Sequence, residues 1–207
     1  AIGHRAKSSY SAAISINTGY LNIGSDASGG GAISIGDSNE ASQVSSVAIG
    51  IMAKSDIYGK FAYSSGSFGG NGSYSLRGLS QGGMYILSSD TTNATPEAMT
   101  TNNSTAAANN QVVAASDTCI TFSGTIVAMQ NGAQSYGSWE IKGLLVNAGG
   151  TTTVPNSAIT VISNTSSWGL ALSADNTNNA LTIQVTGEAS HNIRWVANIQ
   201  TSEVTYV

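Results

Sequence analysis

The chain has 207 residues, of which 9% are charged, against about 25% in an ordinary soluble domain. Seven basic residues against eleven acidic ones, a net charge of −4, exclude a nucleic-acid binder that works by phosphate neutralisation. One cysteine excludes an internal disulfide framework and a thiolate zinc site. No apolar run approaches the roughly 18 residues needed to span a bilayer, so no membrane insertion is expected. The 24 Gly, 2 Pro and 41% hydrophobic residues, with abundant Ser, Thr and Asn, argue for an ordered all-β chain. The chain begins at Ala1 without Met, which reads as a processed product or a fragment.

Residues 1–70 repeat a unit of hydrophobic residue, Gly, a few variable residues, then Ala. It occurs at Ile2-Gly3 to Ala6, Ile23-Gly24 to Ala27, Ile35-Gly36 to Ala41, Ile49-Gly50 to Ala53 and Tyr58-Gly59 to Ala62. The glycine spacings are irregular. Period-two alternation in Ala13-Ile14-Ser15-Ile16 and Ala32-Ile33-Ser34-Ile35 predicts short strands. Gly3, Gly24, Gly36, Gly50 and Gly59 are the expected turn glycines, placed where positive φ is needed. A coil of about 12–20 residues cannot bury its apolar row alone, so a β-roll or solenoid stacked on neighbours is expected.

The segment Ser46-Val47-Ala48-Ile49-Gly50, followed by Ala53, resembles the head repeat of trimeric autotransporter adhesins, which also occurs in phage tail fibres. Over residues 1–65 the resemblance implies a left-handed parallel β-roll, with three chains around an axis.

Residues 71–111 read as a connector rich in Gly, Asn and Thr, interrupted by one strand at Met84-Tyr85-Ile86-Leu87. Residues 112–207 read as a strand-after-strand domain. Strands are predicted at 119–130, 138–147, 158–163, 168–174, 180–187, 192–200 and 203–207, with turns at Asn131-Gly132, Gly149-Gly150, Asn164 and Asp175 through Asn179. This spacing, without helical periodicity, argues for an antiparallel sandwich of jelly-roll type. Trp139, Trp168 and Trp195 lie on apolar faces and are expected in the core.

Four stretches, Phe122-Ser123-Gly124-Thr125-Ile126-Val127-Ala128, Gly137-Ser138-Trp139-Glu140-Ile141-Lys142-Gly143, Leu181-Thr182-Ile183-Gln184-Val185-Thr186-Gly187 and Ile193-Arg194-Trp195-Val196-Ala197, resemble the C-terminal β domain of phage tail fibre and tailspike proteins. The resemblance covers about residues 110–207. It implies a trimeric, tail-associated module and carries no catalytic motif.

Chemistry is sparse. His4 and His191 lie outside any metal-spaced cluster, and Cys119 has no identifiable base beside it. Asp26 and Asp37 follow repeat glycines, where turn capping outweighs calcium binding. Glu140, Lys142, Glu188 and Arg194 are expected to form cross-strand ion pairs on an outer face. Tyr58, Lys60, Phe61 and Tyr63 are the candidate receptor-binding residues, since aromatics beside a cation suit saccharide stacking and equally an interchain contact.

The expected protein is a non-enzymatic, structural and adhesive virion fibre, the distal part of a tail fibre. It has a 1–70 shaft, a 71–111 connector and a 112–207 knob. It is expected to form a homotrimer, to join other virion tail or fibre proteins, to meet a host surface glycan or protein, and to use no cofactor or metal. The alternatives are the head of a bacterial trimeric autotransporter adhesin and a polysaccharide-depolymerising tailspike, which needs a carboxylate pair.

Overall fold

A computed structural model describes residues 1–17, 24–69, 73–132 and 134–207. Ile23 of the second repeat unit, Gly70 at the end of the expected shaft, and Asn71 and Gly72 at the start of the expected connector lie outside the described residues. The described chain is all-β apart from one short 3₁₀ turn at Tyr74–Leu76.

The strands of the N-terminal segment are β1 (Ile2–Gly3), β2 (Lys7–Ser8), β3 (Ile14–Asn17), β4 (Asp26–Ala27), β5 (Ile33–Asp37), β6 (Glu40–Ala41), β7 (Val47–Ile51), β8 (Lys54–Ser55) and β9 (Phe61–Ser65). Odd strands pair in parallel in one sheet, and even strands pair in parallel in another. The result is a β-solenoid of about four turns. Its period is regular where the glycine spacing is not. Ile33, Val47 and Phe61 are register partners fourteen residues apart. Ile2 and Ile16 are also fourteen apart, whereas Lys7 and Asp26 are nineteen apart. One coil therefore carries five extra residues, between Asn17 and Asp26.

The five expected turn glycines occupy three different positions of this coil. Gly3, Gly36 and Gly50 share one column at φ of 104°, 122° and 108°. A Cβ there would strike the carbonyl oxygen of the next coil, at Asn17, Gly50 and Ser64 respectively. Gly24 lies two residues before Asp26, as Ser38 lies before Glu40, and its φ is not positive. Gly59 has φ 65° in open space, at the coil position of Gly31 and Ser45.

The interior of the roll is narrow. Ala27, Ala32, Ala41, Ala48, Ala53 and Ala62 are buried together, beside buried Ser15, Ser34, Ser46 and Ser55. Buried Asn39 ties adjacent coils, donating to the carbonyls of Ile35 and Gly50 at 2.8 Å each and accepting from the Ala53 amide at 2.8 Å.

The remaining strands are β10 (Ser80–Thr91), β11 (Glu97–Ala98), β12 (Val112–Val113), β13 (Thr118–Gln130), β14 (Tyr136–Ala148), β15 (Thr151–Asn164), β16 (Gly169–Asp175), β17 (Ala180–Thr186) and β18 (Ile193–Thr205). The two strands expected at 192–200 and 203–207 are one strand, because Thr201-Ser202 carries no turn former. The compact units are Ala1–Met84 with Ser202–Val207, and Tyr85–Thr201. They differ from the expected three-part division because β10 and β18 each give residues to both units.

In the first unit β10 pairs antiparallel with β9, Gly82 opposite Tyr63 and Met84 opposite Phe61. In the second, one sheet runs β10-β18-β13-β14-β15. A smaller one runs β11-β17-β12, with β16 also on β17. The β13–β14, β14–β15 and β16–β17 pairs are antiparallel. Gly132 at φ 70° and Gly149 and Gly150 at 57° and 84° lie in the turns that join β13 to β14 and β14 to β15. The core of this unit holds all three tryptophans. Trp139 and Trp195 stack at 5.4 Å between ring centroids, and Trp168 lies 5.6 Å from Trp195.

Within the segment read as a connector, residues 100–110 form a hydrogen-bonded loop. Asn110 donates to Asn102 Oδ1 and the Thr105 carbonyl at 3.0 and 2.9 Å, and the Thr100 hydroxyl donates to the Ser104 carbonyl at 2.9 Å.

Candidate functional site

The roll's parallel strands alternate in a consistent sense. Small residues point inward. The opposite face carries two apolar ladders, Ile14-Ile33-Val47-Phe61 and Ile2-Ile16-Ile35-Ile49-Tyr63, each step set by the register. Ile2, Ile14 and Tyr63 are 68%, 48% and 54% exposed, and the other rungs are half-buried. The interior column has no room for Ile, so the larger side chains stand outside, against the usual preference of the hydrophobic effect.

The four candidate receptor residues divide between the two faces. Phe61 and Tyr63 belong to the outer ladders, and half-buried Tyr58 precedes the Gly59 turn. Lys60 is not a surface cation. Its side chain is 3% exposed, and Nζ donates to Glu203 Oε2 at 2.8 Å. It occupies the inward column of Ala13, Ala32 and Ser46. Gln81 completes the arrangement, donating to the same Glu203 oxygen at 2.7 Å and exchanging hydrogen bonds with the Lys54 backbone at 2.9 and 3.0 Å. A buried pair needs such added partners to offset desolvation.

A second buried cation, Arg77, was not singled out from the sequence. Its Nε and one terminal nitrogen donate to the carbonyls of Ser38 and Gly24 at 2.6 Å each, and the other lies 3.3 Å from Glu40. Gly24 and Ser38 are one coil apart, so the planar guanidinium bridges successive coils, which suits its fork geometry.

The carboxylates are engaged almost throughout. Asp26 pairs with Lys7 at 3.7 Å, Asp56 with Lys54 at 3.1 Å and Glu188 with His191 at 3.3 Å. Asp37 accepts from Ser38, Glu97 from Ser89 and Asp117 from Ser116. Burial acts to raise the Asp175 carboxyl, but the Asn178 side chain and the Asn178 and Thr177 amides outweigh it and hold that carboxyl below its usual range.

Of Glu140, Lys142, Glu188 and Arg194, expected in cross-strand ion pairs on an outer face, only Arg194 forms one among the described residues, between β18 and β10. Arg194 pairs with Asp90 at 3.1 Å. Among the described residues Glu140 and Lys142 have no partner, because Thr125 and Thr160 flank Glu140, and Ser123 and Ala158 flank Lys142. Asn17 donates to the His4 carbonyl. Cys119 is a half-buried free thiol. Among the described residues no helix is long and apolar enough to cross a membrane.

No protein-family model matches the chain, and no curated protein matches it. Among solved structures it is similar to the crystal structure of the Acinetobacter baumannii phage AM24 tailspike protein, at 8% identity and a TM-score of 0.28. The match covers 88% of this chain and 34% of that one, so the chain spans about a third of that protein's length. A likeness of that degree decides neither fold nor function.

Proposed function

We propose that this chain is a rigid, non-enzymatic fibre module of a virion tail. In this reading it works as a homotrimer, with other tail or fibre proteins, and meets the host surface. The roll is the stiff shaft, and residues 85–201 form a sandwich-like knob. The observation that carries the reading is the pair of apolar ladders on the outer face of the roll. A continuous apolar face of this kind marks an association surface, and identical ladders on three copies bury one another around an axis. The shaft is held by backbone pairing and buried Ser, Asn and Arg contacts, which suits a load-bearing part. Contact through three copies then gives avidity from weak individual contacts.

Light scattering tests the assembly. The expected mass is three times the 21.0 kDa chain. A mass of one chain at micromolar concentration overturns the trimer.

A further inference from the structure

We infer that the exposed face of β13, with its neighbours β18 and β14, is a binding site for a neutral oligosaccharide. The inference rests on the adhesive reading above and names the place and the ligand class.

Among the described residues every Asp and Glu except Glu140 and Glu188 is held by an ion pair or hydrogen bond within the chain, Glu188 having only His191 Nδ1 beside it at 3.3 Å, and every Lys and Arg except Lys142 has a partner. Glu140 and Lys142 lie two residues apart on the same exposed face of β14. They line a hollow of about 370 Å³ together with Ser123, Thr125, Asn198 and Gln200, within the size range of ligand sites. None of these six side chains is hydrogen-bonded among the described residues. Amides at Gln81, Asn39, Asn110 and Asn164, by contrast, are hydrogen-bonded within the chain.

The sheet explains the shape. β13 lies between β18 and β14, and side chains alternate between faces. Ser123 and Thr125 form a low floor. Asn198 and Gln200 stand on one side, Glu140 and Lys142 on the other, about 10 Å apart across two strand spacings. Gly124, between Ser123 and Thr125, belongs to the opposite face, where a Cβ would meet the Asn198 carbonyl and the buried Ile199 side chain. Register shifts between β14 and β15 fall on both sides of the charged pair, at Ser138/Trp139 and Leu144/Val146. Bulges of this kind re-aim side chains.

The chemistry selects the occupant. The walls offer one pure acceptor, one pure donor and two amides that do both, over a hydroxyl floor. A ligand that satisfies them must itself donate and accept repeatedly, as sugar hydroxyls do. A phosphate-rich or polyanionic chain meets Glu140. The rest of the lining is Gly124, Thr160, Ala158 and the buried Ile141, so a peptide with large apolar side chains finds little apolar wall there.

The test uses the whole chain on an immobilised array of neutral hexose and N-acetylhexosamine oligosaccharides, with acidic glycans beside them. The native chain is expected to bind a neutral oligosaccharide. Glu140→Gln is expected to weaken it by about tenfold or more, the loss of one charge-assisted hydrogen bond, and Lys142→Met with Asn198→Ala to abolish it. Melting temperature and scattering mass are expected to stay unchanged. Equal binding by native chain and variants overturns the site while leaving the adhesive reading intact. Binding only to acidic glycans overturns the ligand class. Loss of trimer mass in the variants makes the face an interface between copies and overturns the site. Native trimers that bind no glycan overturn the site and the glycan part of the adhesive reading, and leave the fibre reading standing.

Discussion

Single residues fix the roll where its sequence departs from its own repeat. Lys60 takes an inward position that Ala13, Ala32 and Ser46 take in other coils, and it is tolerated there because Glu203 and Gln81 meet it. Removing the acid takes the counter-charge from a buried ammonium, which costs about 3–5 kcal/mol. Glu203→Ala is therefore expected to lower the melting temperature sharply. Lys60→Met with Glu203→Leu, which removes both charges, is expected to recover most of the loss. Thermal melts of the single and double variants check this, and equal losses for both refute it. From sequence Lys60 is a candidate receptor-binding or interchain residue, and its burial is hidden there because its partner lies 143 residues away. Local pattern reports exposure only when the neighbours are local too.

At the scale of elements, strand existence was legible and coil phase was not. Alternation placed the roll strands correctly in kind. The added residues between Asn17 and Asp26, and glycines drawn from three coil positions, hid the fourteen-residue period. The unpaired state of Glu140 and Lys142 was equally hidden, because it depends on which residues stand opposite, and those are set by register. The coil positions separate two glycines that look alike in sequence. Gly50 combines φ 108° with a close approach to the Ser64 carbonyl, whereas Gly59 has φ 65° and open space. Gly50→Ala is expected to cost more than about 3 kcal/mol through strain and collision together. Gly59→Asn is expected to cost less than about 1 kcal/mol, since Asn tolerates the left-handed region. Urea denaturation of both variants checks the difference, and similar midpoints refute the column assignment.

At the scale of the whole molecule, each unit leaves an apolar surface uncovered. In the first it is the ladder face of the roll. In the second it is β15, which ends its sheet. There Ile159, Val161 and Ile162 are 38%, 58% and 57% exposed, although Ile159 and Val161 are register partners of buried Ile141 and Trp139. An unpaired edge with exposed β-branched residues invites pairing unless another copy covers it. The two surfaces predict different failures. Ile35→Asp with Ile49→Asp places charges on the central rungs of one ladder. Both side chains point away from the narrow interior, so each chain keeps its coils while association is lost. The expected result is a mass of one chain by light scattering, with the β-type circular dichroism spectrum retained. Val161→Lys with Ile162→Lys leaves the ladders intact, so trimers still form but dissociate at lower temperature if β15 is covered in the assembly. A ladder variant that remains trimeric moves the association surface away from the roll. An edge variant that melts like the native trimer means that β15 faces water in the assembly.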